Sequence, residues 1–173
     1  EIIRDHLIEA YNLDADIQTL YEALREATRQ NVLENLDTYF ADFRTTVEGS
    51  FLEELDELNQ LVQFRETLIN SVQYMLLTRC GYNAEDFLDV EDFRDIYNFN
   101  TIETLNILGC AGSDISEMVL QEIAETVKAA ERESKKKNRT SASPDKTEDN
   151  ITENKATERS TQNGTDLQTG GKL

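Results

Sequence analysis

The chain has 173 residues and a formal net charge of −18, with 35 acidic residues against 17 lysines and arginines. That length holds one ordinary domain. The charge is divided unevenly: residues 1–127 carry 27 acidic residues, seven arginines and no lysine, a net of −20, while residues 128–173 carry all seven lysines and a net of +2. An acidic body of this kind opposes phosphate, so direct nucleic-acid binding by residues 1–127 is not expected. No run of about 18 apolar residues is present, so no membrane association is expected.

In chain order the first element is the segment EIIRDHLIEAYN, residues 1–12. It reads as a helix already under way, and we expect the chain to be a fragment of a longer polypeptide. It lacks the basic start and apolar run of a secretory leader, so a cytoplasmic location is expected. Next, Ile17, Leu20, Tyr21, Leu24 and Ala27 recur at three and four residues, as do Val32, Leu33, Leu36, Tyr39, Phe40, Phe43 and Val47. Asp14 or Asp16 is the expected N-cap of this stretch. The same period returns in Phe51, Leu52, Leu55, Leu58, Leu61 and Val62, then in Leu68, Ile69, Val72, Met75 and Leu76. This is the spacing of amphipathic helices with one buried stripe. Gly81 suits the left-handed residue that ends a helix.

Asn83 and Asp89 are placed to start short helices holding Phe87, Leu88, Phe93 and Ile96. Asn100 with Glu103, and Asp114 with Glu117, have the offset of a reciprocal cap. The spacing therefore predicts two final helices, Thr101–Leu108 and Ile115–Val127, separated by a turn over Gly109, Cys110, Ala111, Gly112 and Ser113. No comparable stretch alternates with period two. The expected fold is all-α: an acidic multi-helix bundle with a disordered C-terminal tail. The domains are an acidic helical domain over 1–127 and a disordered polar tail over 128–173. From Ser134 onward there is no aromatic residue, and so little apolar side chain that burial cannot offset chain entropy. Protease is expected to remove residues after about Glu133. The expected core is Leu20, Leu24, Leu33, Leu36, Phe40, Phe43, Leu68, Val72, Met75, Leu76, Phe93, Ile96, Leu105, Leu108, Ile115, Met118, Val119 and Ile123.

No residue set spells out a reaction. His6 is the single histidine, and in HLIE (6–9) it is followed by Ala10, where an inverted zinc-protease helix needs a second histidine. His6, Cys80 and Cys110 lie on unrelated segments and make three zinc ligands where a structural site needs four. The cysteines are expected to be buried free thiols. The acidic runs Glu53 to Glu57 and Asp89 to Asp92 lack the central glycine of a calcium loop. Paired Glu-x-x-His motifs of a bundle di-metal site are excluded by one histidine. The Gly109-to-Asp114 stretch lacks the Lys-Ser or Lys-Thr of a phosphate loop, and no nucleophile is paired with a base. No catalytic, cofactor-binding or metal residue is assigned, no cofactor is expected, and no small-molecule ligand is evident. Asn138, Asn150 and Asn163 head glycosylation-like triplets that an Asn- and Thr-rich tail produces by chance.

The segments SVQYMLLTRCG (71–81), DFRD (92–95), FNTIETLNILG (99–109) and SDISEMVLQEIAETV (113–127) are packing and capping sequences. Together they resemble a helical module of large antirestriction- and metallopeptidase-associated proteins from Firmicutes integrative conjugative elements. The resemblance spans about residues 15–127 and implies a mobile-genetic-element context. It carries no catalytic residue, and the zincin motif of the neighbouring domains in such proteins is missing here. The expected function is a non-catalytic interaction or accessory module whose partner is a protein or a neighbouring domain of the same polypeptide. One alternative is an acidic DNA mimic of the antirestriction type. Another is an accessory part of an enzyme whose catalytic domain lies outside this chain. With 27 carboxylates against seven arginines, mutual repulsion is expected to raise carboxylate pKa values in the compact body.

Overall fold

The computed structural model describes residues 1–140, with side chains to residue 137. Their architecture is all-α: α1 (Ile2–Ala10), α2 (Leu20–Phe43), α3 (Glu57–Arg79) and α4 (Ile102–Thr140), with short 3-10 segments at Ala84–Asp86 and Glu91–Asn98 between α3 and α4. Among the described residues there is no strand.

Each helix end has a local cause. α1 ends on Asn12 at φ 48, where the Leu13 and Asn12 amides donate to the carbonyls of Ile8 and Glu9. Asparagine tolerates this left-handed geometry better than most residues. α2 is capped by Thr19, not by Asp14 or Asp16. The Thr19 hydroxyl accepts from the Glu22 amide at 3.1 Å while Glu22 accepts from the Thr19 amide at 3.0 Å. Asp14 is drawn instead into its own turn, accepting from the Asp16 amide. Asp56 caps α3 by accepting from the Asn59 amide. Gly81, at φ 85, ends α3 as expected, with the Gly81 and Tyr82 amides donating to Thr78 and Leu77. α4 starts one residue later than the Asn100–Glu103 pair implied. Thr101 and Thr104 bond each other there, because the Asn100 side chain accepts from the Phe51 amide at 2.8 Å.

The helices pack with α2 antiparallel to both α3 and α4. Phe43 stacks on Phe64 at 4.7 Å, and Tyr39 donates to Asp114 at 2.9 Å. α3 and α4 are parallel, so the chain between them must return along α3. It does so by two side-chain ties, Asn70 to the Asp92 carbonyl and Asn98 to Gln63. Phe99 then enters the aromatic centre beside Phe43 and Phe64. Gln60, buried at the start of α3, donates to the carbonyls of Leu52 and Leu55 and fixes the α2–α3 connection. α1 lays Leu7 into the bundle, and His6 Nε2 lies 3.0 Å from Glu122 of α4.

The largest departure from the sequence reading is α4. Two helices and a turn were expected, yet one helix runs from Ile102 to Thr140. Ala111 and Gly112 are buried, and a Cβ on Gly112 would stand 3.0 Å from Met75 Cε. The small residues are where α4 crosses α3 closely, and that packing holds the helix through its weak formers. The helix also does not stop at Val127: Ala129, Ala130 and the Glu131–Lys135 pair at 3.8 Å carry it on. Residues 128–140 are therefore helical where a disordered tail was expected, and the rest of that expectation, over 141–173, lies outside the described residues.

Most of the expected core is buried, but Leu33, Leu105 and Met118 are exposed, on the outer sides of α2 and α4. Leu20, Met75 and Ile96 are half-buried around the core, and Phe93 is half-buried edge-on to Tyr74. Both cysteines are free as expected, but Cys80 is half-buried and Cys110 exposed.

Two predictions follow from this packing. Gly109, with nothing near its Cβ position, should gain about 0.5–1 kcal/mol as Gly109→Ala, by helix propensity alone. Gly112→Leu should lose about 1–3 kcal/mol by overpacking against Met75 and Leu68. Urea midpoints at constant m-value measure both. Hydrogen bonds from the Thr19 amide and hydroxyl hold the Glu22 carboxyl below its ordinary value, and Asn59 does the same for Asp56. A folded pKa below the unfolded one stabilises above the unfolded value and stops doing so as pH falls through the folded one. The thermal midpoint should therefore drop below about pH 4. Glu22→Gln should lower the midpoint at pH 7, and its gap from the native chain should narrow on acidification.

Candidate functional site

α4 carries two apolar lines. Ile115, Val119 and Ile123 fill the core. A second line through Ser116, Leu120 and Ala124 faces the C-terminal half of α3 across an open groove of about 870 Å³. Met75, Leu120, Ile123 and Ala124 supply apolar wall, and Ile3 of α1 and Leu20 of α2 line it as well. Thr78, Arg79, Ser113, Glu117 and Gln121 add polar groups. The size is that of a site for a small ligand or a row of side chains, and its openness suits the latter.

The wall is built by backbone economy. Gly112 lets α3 approach, and the Ser116 hydroxyl turns back to donate to the Gly112 carbonyl, so it leaves no demand in the groove. Ser116 also sits 3.7 Å from the sulfur of Met75, a side chain that adapts to irregular partners. Cys80 shares the lining, and burial pushes its thiol pKa up, away from the nucleophilic thiolate. Arg79 and Glu117 are the charged groups of the lining. The arrangement offers an apolar strip with polar edges, suited to an amphipathic helix.

The chemistry considered from sequence falls elsewhere. Among the described residues no three His, Cys, Asp or Glu side chains gather as a metal cluster, so His6, Cys80 and Cys110 are not brought together. The Gly109-to-Ser113 stretch lies inside α4, where its amides serve the helix. Asp114 accepts from Tyr39, whose pKa is raised by burial and by that carboxylate. The groove residues Leu120 and Ala124 were not singled out from sequence. The signal was present as an apolar line wider than one neighbouring helix needs. Comparison with family models, curated proteins and solved structures finds no match for this chain.

The two thiols give a direct check on this geometry. An aromatic disulfide reagent at pH 8 should label one cysteine fast and one slowly. Cys110→Ala should remove the fast phase, and Cys80→Ala should leave it. Equal rates at both positions would contradict the half-buried placement of Cys80.

Proposed function

We propose that this chain is a non-catalytic helical interaction module that receives an amphipathic helix in the groove between α3 and α4. The helix comes from a protein partner or from a neighbouring domain of the same polypeptide. The observation supporting this reading is the apolar groove itself, with Met75 and Leu120 in its wall and few titratable groups around it. The resemblance noted in the sequence supports reading the module as an accessory part of a larger assembly in a bacterial mobile-element protein. A photo-crosslinking residue at Leu120, in cells carrying the full reading frame, should join one discrete partner or flanking segment. The same residue at Thr38, exposed on α2, should not. Equal labelling from both positions, or none from Leu120, overturns the reading.

A second reading is a DNA mimic. It is favoured by the placement of the acids: none of the Asp or Glu side chains among residues 1–137 is buried. Duplex DNA presents one charge per ~1.7 Å of axis, and a mimic must reproduce such a density along a row. Inhibition of a DNA-cleaving enzyme by the purified chain, relieved by excess duplex, supports this reading. Unchanged cleavage across a panel of restriction enzymes removes it.

A further inference from the structure

One solvent face of α4 is divided by charge. Asp114, Glu117, Gln121 and Glu125 are all exposed and follow one another at three or four residues. The same spacing continues without a break through Lys128, Arg132 and Lys135, also all exposed. Steps of three and four keep residues on one side of a helix. The stripe is therefore acidic through Glu125 and basic from Lys128 onward, where α4 has run on past Ile123, its last buried residue. At 1.5 Å per residue the basic half begins about 8 Å beyond Ile123 and reaches about 18 Å beyond it at Lys135. Lys136 broadens it on one side.

We propose that this stripe is a self-association surface on which α4 of a second copy lies antiparallel. The order of charges decides the partner. A two-fold axis midway between Glu125 and Lys128 sets Glu125 of each copy opposite Lys128 of the other. The same axis places Gln121 opposite Arg132, and Glu117 opposite Lys135 and Lys136. Glu117, Gln121 and Glu125 then each meet a cation, and the two-fold makes each pair occur twice; Asp114 accepts from Tyr39 of its own chain. An isologous contact of this kind closes at two copies. A duplex or an acidic peptide would satisfy the basic half only, and would set its own charge against Glu117 and Glu125. Within one chain Glu117 accepts from Gln121, and Lys135 lies 3.8 Å from Glu131, both exposed pairs. Exposed pairs are individually weak and screened by salt, and each copy carries −18 overall. The dimer is accordingly a reversible one.

The test is a charge swap read by sedimentation velocity on the full chain. The native chain should show a concentration-dependent monomer–dimer equilibrium. Lys128→Glu with Lys135→Glu should weaken the dimer at least about tenfold, and so should Glu117→Lys with Glu125→Lys, because each sets like charges opposite one another. Mixing the two variants should restore association as a heterodimer, which a simple folding defect does not do. Circular dichroism of each variant keeps that distinction clear. Glu117 and Gln121 also border the groove, so the arms that separate the two readings are Leu120→Glu, which should leave the dimer in place, and Lys128→Glu with Lys135→Glu, outside the groove lining, which should weaken the dimer and leave the Leu120 crosslink unchanged. A native chain that stays monomeric, a dimer insensitive to both double variants, or variants that do not complement would overturn the proposal. So would a monomer that binds an oligonucleotide through Lys128 and Lys135, which would assign the basic half to phosphate.

Discussion

The structure depends on one close approach, that of α4 to α3 at Gly112. Without a side chain there, Met75 and Leu68 pack against the backbone of α4. Ala111, Ile115 and Val119 can then reach the core on the neighbouring turns. Two glycines within one turn weaken an isolated helix by about 1 kcal/mol each. Tertiary contact has to offset that loss, and it does so only because the side chains removed are those that would have kept the helices apart. The crossing also leaves α3 and α4 parallel. A parallel pair cannot be joined by a short turn, which explains the long return over 80–101 and its ties to Asn70 and Gln63.

The same contact shows where sequence pattern is informative and where it stops. Buried stripes on α2 and α3 were legible because Leu24, Leu36, Phe40, Leu68, Val72 and Leu76 repeat at helical spacing, whereas Phe64, fully buried in the aromatic centre, was missed. Gly81 was legible as a terminator because its geometry is local. The stretch Gly109 to Ser113 was not, since small residues serve equally as a turn or as a crossing point. The choice between them lies in Met75, 37 positions away. The caps failed in a narrower way. Thr19 with Glu22 has the spacing of a capping box, but Asp14 and Asp16 are equally good acceptors on paper. The turn that consumes Asp14 is visible only in three dimensions. Leu33, Leu105 and Met118 follow the apolar period yet face outward, because the bundle covers a narrower arc of α2 and α4 than the period allows.

Of the candidate site, the sequence showed the materials and not the assembly. Met75 and Leu20 were read as core, and both are half-buried at the groove. A pattern of alternating burial cannot separate a side chain that fills the interior from one that lines its edge. That difference depends on whether another element arrives to cover it. On α4 one line of apolar residues is covered and the next is not, and the helix continues well past its last buried residue. A polar helix beyond its own core needs either many local pairs or something to lie against.

Electrostatics explain why so acidic a chain still folds. Its core is free of carboxylates, and all those of residues 1–137 reach solvent. The uniform self-repulsion expected from composition would raise carboxylate pKa values. Glu22 and Asp56 move the other way, because amide hydrogen bonds at helix N-termini act at 3 Å while like charges act through water. Over that short distance the cap wins, since screening removes most of the interaction between exposed charges beyond about 8–10 Å. The local use of a carboxylate thus decides its effect on the fold, and the total charge is left to act on what approaches from outside. Among the described residues, the acid-to-base order along α4 would favour the approach of a surface of the same composition, because its charges are sorted along a single helix rather than mixed.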